Sequence, residues 1–148
     1  MENTNQIKDK KQSSASSVNE VLFVGLFGSI IFILGTMLPY ASLGIFDIAL
    51  LDGGIGSIAG LFILIGVLGL AASVIRKPLI ILIVGLLAVI LTTFEFLIFQ
   101  SNSGGSSLFG YSLSDLIEYG IGFYFLWLGA GVILITGLYG IYKKQKTN

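Results

Sequence analysis

The chain has 148 residues, 55% of them hydrophobic and 11% charged, and its eight basic and eight acidic side chains cancel to a formal net charge of zero. So few charges cannot clothe a soluble domain of this length, and a neutral chain lacks the cationic surface that nucleic-acid binding requires. The absence of Cys and His excludes disulfides, thiol chemistry, nearly all transition-metal sites and the usual physiological-pH switch.

Mean hydropathy is +0.96, and the apolar residues fall into four runs. These are Val21–Leu38, Ile55–Ile75, Leu79–Phe99 and Ile121–Tyr142, of 18, 21, 21 and 22 residues, interrupted by one charge, Glu95. About 20 apolar residues span a bilayer core of ~30 Å. The expected fold class is therefore an all-α integral membrane protein, an antiparallel four-helix transmembrane bundle over residues 21–142.

Residues 1–20 are polar and include Gln12-Ser13-Ser14-Ala15-Ser16-Ser17. They cannot bury enough apolar surface to order themselves, so a disordered tail is expected. Asn19 is placed to cap the first helix. The first run exceeds a 7–15 residue signal core and no A-x-A site follows it, which reads as an uncleaved anchor. Pro39 ends that helix. In the connection Pro39–Gly54, the stretch Leu43–Leu51 is apolar apart from Asp47. It is too short to span and too greasy to float in water, so an interfacial segment is expected. Asp52-Gly53-Gly54 is a turn signal that leaves Asp52 near the start of helix two.

Arg76-Lys77-Pro78 forces helices two and three into a hairpin, with the proline in the first turn, where its missing N–H costs little. The second long connection, Gln100–Gly120, begins with the flexible composition of Ser101–Ser107 and continues through the more apolar Leu108–Gly120, expected to be a second interfacial segment. Asp115-Leu116-Ile117-Glu118 has the spacing of a reciprocal cap, predicting that helix four starts one or two turns before the membrane. A short basic tail, residues 143–148, closes the chain.

All eight basic residues lie on one side of this pattern. Lys8, Lys10 and Lys11 precede the first run, Arg76 and Lys77 separate the second and third, and Lys143, Lys144 and Lys146 follow the fourth. Basic residues mark the cytoplasmic side, so both termini are expected inside. With Glu2, Asp9 and Glu20 the inner segments carry a net +5, against −4 outside from Asp47, Asp52, Asp115 and Glu118. The inner excess favours anionic lipid heads.

Helices in lipid associate through close backbone approach at small residues. Gly56, Gly60, Gly69 and Ser73 supply these on helix two, Gly129, Thr136 and Gly140 on helix four, and Gly25, Gly28, Ser29 and Gly35 on helix one. Helix three offers only Gly85 and Ala88. The expectation is that helices one, two and four pack tightly and helix three is the most lipid-exposed. Tyr40, Phe99, Tyr119, Phe123, Tyr124 and Trp127 cluster toward one boundary, and Tyr139 and Tyr142 toward the other, as interfacial anchors.

Glu95 is the one candidate site residue. An ionisable group inside a span is functional by default, yet it lies about 6 Å from the outer end of its helix. No basic residue falls in that half of the chain, so its partners would be hydroxyls such as Thr92, water, a proton or a cation. It is expected to face helices one, two or four, and one reading makes it a structural residue, snorkelling or hydrogen-bonded. The other joins Glu95 and Thr92 with Asp47 and Asp52 in a proton or hard-cation site. No P-loop, G-x-S-x-G or H-E-x-x-H motif is present. Neither an enzyme nor a cofactor is indicated.

Leu38-Pro39-Tyr40, Leu51-Asp52-Gly53-Gly54, Tyr119-Gly120-Ile121-Gly122-Phe123-Tyr124 and Leu128-Gly129-Ala130 resemble small uncharacterised four-helix membrane proteins of Gram-positive bacteria. In these, a proline closes helix one, an acidic-glycine turn opens helix two and a glycine-aromatic run opens helix four. The resemblance implies a bacterial plasma membrane and carries over no activity. The expected function is a non-enzymatic, partner-binding, accessory or immunity-type membrane protein, working with a membrane-protein partner or by self-association. The alternative is a small oligomeric channel, transporter or holin-like protein that uses Glu95.

Overall fold

A computed structural model describes residues 22–43, 46–50, 58–104, 107–108, 111–112 and 117–147. In chain order these form helix α1 (Leu22–Met37), strands β1 (Pro39–Leu43) and β2 (Phe46–Ala49), helices α2 (Ile58–Ile75) and α3 (Pro78–Gly104), strands β3 (Ser107–Leu108), β4 (Tyr111–Ser112) and β5 (Ile117–Tyr119), and helix α4 (Ile121–Thr147). The tails 1–20 and 148, together with Asp52 and Gly56, lie outside the described residues.

Among the described residues, three helices are long and apolar enough to cross a membrane: Ile58–Ile75, Pro78–Ser101 and Ile121–Lys146, of 18, 24 and 26 residues. At 1.5 Å per residue they reach about 27, 36 and 39 Å. The apolar α1 is shorter but runs along the same bundle. Its Gly25 lies against Thr136, past the middle of α4, and its Gly35 lies against Leu126 near the start of that helix. Large apolar side chains such as Phe27, Leu64, Ile90 and Ile135 point outward from all four helices. Such a surface is untenable in water and suits hydrocarbon.

The interior is filled. Phe32, Phe62, Ile81, Leu126 and Ile133 are fully buried, and the rings of Phe32 and Phe62 stack at 5.7 Å. Small residues set the helix spacings. Between α1 and α2, Gly25 faces Ser73 and Gly69 faces Ser29. Between α1 and α4, Gly129 lies on the Phe32 backbone, where a Cβ would stand 2.6 Å from the amide nitrogen. Between α3 and α4, a Cβ on Gly85 would stand 2.6 Å from the Leu134 Cα, and one on Gly137 would stand 2.5 Å from the Leu82 Cα. This last contact corrects the expectation that the tight packing belongs to helices one, two and four, although α3 remains the least buried of the three long helices. One glycine on each helix is enough for backbone contact when each meets the other helix directly, and Ala88 and Ala130, both fully buried, extend the seam.

The α2–α3 hairpin turns on Arg76, whose φ of 59° is left-handed. A residue with a Cβ adopts that conformation at a cost of about 1–2 kcal/mol. Its N–H donates to the Ser73 carbonyl at 3.1 Å, and the Lys77 carbonyl accepts from Ile80 and Ile81 to begin α3. Pro78 opens the helix, where no N–H is needed.

At the other end of the bundle the connections pair as strands. The sheet order is β2-β1-β5, antiparallel throughout, and β3 pairs with β4. The described backbone of the expected interfacial segment Leu43–Leu51 is thus largely β2. The expected early start of helix four is corrected. Ile117–Tyr119 pairs with Ala41–Leu43 of β1, so its backbone is satisfied by a strand, and α4 begins only at Ile121. Gly120 makes the join: its N–H donates to the Tyr40 carbonyl at 2.9 Å, and a side chain there would meet the Pro39 carbonyl. Two helices outrun their apolar patterns, α3 to Gly104 and α4 to Thr147.

Candidate functional site

The site lies where β1 crosses the ends of α3 and α4. Pro39 stops α1 and turns the chain, so Tyr40 enters the gap between those helices. It is 3% exposed. Its ring meets Phe99 of α3 and Phe123 of α4 edge-on, with centroids at 5.4 and 5.6 Å. Phe96 and Tyr119 complete the aromatic layer, each within 6.4 Å of a neighbouring ring.

Glu95, one turn before Phe99 on α3, turns its carboxylate into this layer. Its Oε2 and the Tyr40 hydroxyl are both buried, and neither has a hydrogen-bond partner among the described residues. An unmade hydrogen bond of this kind costs about 1–3 kcal/mol for each group. Burial pushes the Tyr40 phenol above its ordinary value of 10.0, and the nearby charge of Glu95 and then Tyr119 add to the shift. The two groups are chemically complementary: a phenol donates and a carboxylate accepts. Both can bind one intervening water, and the carboxylate can take a proton.

Other expected members are not brought here. The Thr92 hydroxyl donates to the Ala88 carbonyl of its own helix at 2.8 Å. Asp47 pairs through its backbone with Ser42 in the sheet; its side chain lies outside the described residues, as does all of Asp52. Among the described residues no three His, Cys, Asp or Glu side chains group as metal ligands. Tyr40 was missed in the sequence, where it read as an interfacial anchor. The signal was its depth, since Pro39 and Phe99 put Tyr40 and Glu95 near the same end of the bundle.

The remaining buried hydroxyls are similarly turned onto their own helices. Ser29 donates to Gly25, Thr36 to Ile33, Ser73 to Gly69 and Thr136 to Val132, at 2.6 to 2.8 Å. Of the glycines expected to pack, Gly69 and Gly129 sit in the contacts above, Gly140 is buried and Gly60 is half-buried. Charge separates along the bundle. Arg76, Lys77, Lys143, Lys144 and Lys146 cluster at one end, while Glu95 and Glu118 belong to the sheet end.

No protein-family model matches the chain, and neither the curated proteins nor the solved structures include a match.

Proposed function

We propose that the protein is a non-enzymatic, four-span protein of a bacterial plasma membrane, with both termini in the cytoplasm, that acts by binding a partner at its sheet end. One observation carries the reading: the connections at that end are paired into β2-β1-β5 and joined to α4 at Gly120. A paired sheet is a fixed surface on which a partner can dock without first ordering loose loops. Its register brings positions Asp47, Ser42 and Glu118 into one row. Two acidic positions with no described basic residue at that end favour a partner presenting cations.

The rival is an oligomeric channel or transporter, which needs a polar path. The interior of one bundle supplies little of one. Its hydroxyls are spent on their own carbonyls, and large apolar side chains fill the space between. Glu95 and Tyr40 lie near one another at one end of the bundle, with no hydrogen bond to either buried oxygen among the described residues.

Affinity purification of the full chain from native membranes tests the proposal. A discrete co-purifying membrane or envelope protein, lost on Glu118→Lys, is expected. Recovery of the chain alone, together with ion leakage from liposomes containing it, would replace partner binding with the channel reading.

A further inference from the structure

We propose that the basic end of the bundle carries a binding groove for the phosphodiester head of an anionic phospholipid. The groove has a volume of about 540 Å³ and lies between the α2–α3 turn and the last turns of α4. Arg76, Lys77 and Lys144 supply its charge, and Leu79, Ile80 and Ile141 supply apolar walls. The three cations come from two regions nearly 70 positions apart in sequence. No described carboxylate lies at this end to neutralise them, since Glu95 and Glu118 belong to the opposite one.

The neighbouring side chains separate this groove from a general basic fringe. Lys143 is engaged elsewhere, with its Nζ 3.4 Å from the Tyr139 hydroxyl and 5.4 Å from the centre of that ring. Lys144, one residue on, lines the groove. Arg76 holds its position in a left-handed conformation that glycine would adopt without cost. A guanidinium there has the fork geometry suited to phosphate oxygens.

The chemistry selects the occupant. Cations bind the anionic head, and the walls of α3 and α4 continue along the bundle as outward-facing apolar residues, Leu79 and Tyr142 among them. A ligand with a charged head and long apolar tails satisfies both; a soluble phosphate satisfies only the first. The inference goes beyond partner binding and rests on the membrane reading only in placing the groove at headgroup depth.

The test uses the full chain in a non-ionic detergent, with native mass spectrometry reading retention of phosphatidylglycerol against phosphatidylcholine. Preferential retention of phosphatidylglycerol is expected. One cation near an anionic surface is worth about a fivefold change in binding. R76G/K144Q is therefore expected to weaken phosphatidylglycerol retention about 25-fold, while K143Q/K146Q, with the same loss of charge, changes it less than about threefold. The glycine at position 76 suits the left-handed turn, so this variant is expected to fold. Equal retention of the two lipids, or equal losses in the two double variants, would overturn the site. Displacement of the lipid by millimolar inorganic phosphate would overturn its assignment to a lipid. None of these readings depends on the partner, so failure here leaves the purification result intact.

Discussion

The Ser29 hydroxyl fills the space that a side chain on Gly69 would need: a Cβ at Gly69 would stand 2.6 Å from Ser29 Oγ. Gly25 and Ser73 repeat the arrangement in reverse, at 2.5 Å. Each serine also donates to the carbonyl of the glycine four residues earlier on its own helix. Two G-x-x-x-S segments thus lock α1 against α2 in antiparallel register. Gly69→Ala is expected to destabilise the folded protein by about 1–3 kcal/mol through overpacking. Ser29→Ala removes the obstructing oxygen, so Gly69→Ala in that background is expected to cost clearly less. A double-mutant cycle of thermal stabilities in detergent measures the difference, and strictly additive losses would count against the contact.

The α3–α4 seam admits less relief, because its obstacles are backbone atoms. Gly85→Leu and Gly137→Leu are each expected to cost about 1–3 kcal/mol or more. Gly131 on α4 provides the control, having nothing within 4 Å of a built Cβ. Gly131→Ala is expected to be neutral or to stabilise by up to about 1 kcal/mol, through helix propensity alone. Similar losses at positions 85 and 131 would show that glycine content matters there and proximity does not.

Tyr40 couples stability to alkaline pH. Its phenol is held above its ordinary value of 10.0 in the folded protein, chiefly by burial. The unfolded chain releases that proton at lower pH, so stability is fully present below pH 10 and falls as pH rises beyond it. Tyr40→Phe lacks the proton and is expected to show a flatter decline of melting temperature above pH 10. It also removes a buried hydroxyl without a partner among the described residues, so its stability at pH 7 is expected to match or exceed that of the parent. A parallel decline in both proteins would disconnect Tyr40 from the effect.

Orientation can be read with cysteines in this cysteine-free chain. Glu118 on β5 and Lys146 on α4 are both exposed. Glu118→Cys is expected to react with a membrane-impermeant maleimide added to whole cells, and Lys146→Cys only after permeabilisation. The opposite pattern would reverse the topology.

Much of the helical layout is legible in the sequence, because it depends on local pattern. Pro39 and Arg76-Lys77-Pro78 end and begin helices by backbone chemistry that needs no partner. The strands are not legible in the same way. Pro39–Leu43 lacks an alternation of apolar and polar residues, and it becomes β1 through pairing with Ile117–Tyr119, far along the chain. Gly85 and Gly137 likewise gain meaning only from their opposition across two helices. At the candidate site, Glu95 was legible as a charge within a span. Tyr40 acquires its role only when the chain folds back over α3.

The pairing of β1 with β5 also sets an order of assembly. During synthesis β1 emerges soon after α1, but its second partner is made only after α2 and α3, at Ile117–Tyr119. Until then one margin of β1 and the Tyr40 carbonyl, which receives the Gly120 N–H, lack these partners. A nascent chain stalled before residue 117 therefore carries an open strand margin that the finished protein covers on that side. An open margin of this kind is a template for pairing with another chain, and the late arrival of β5 closes it on that side.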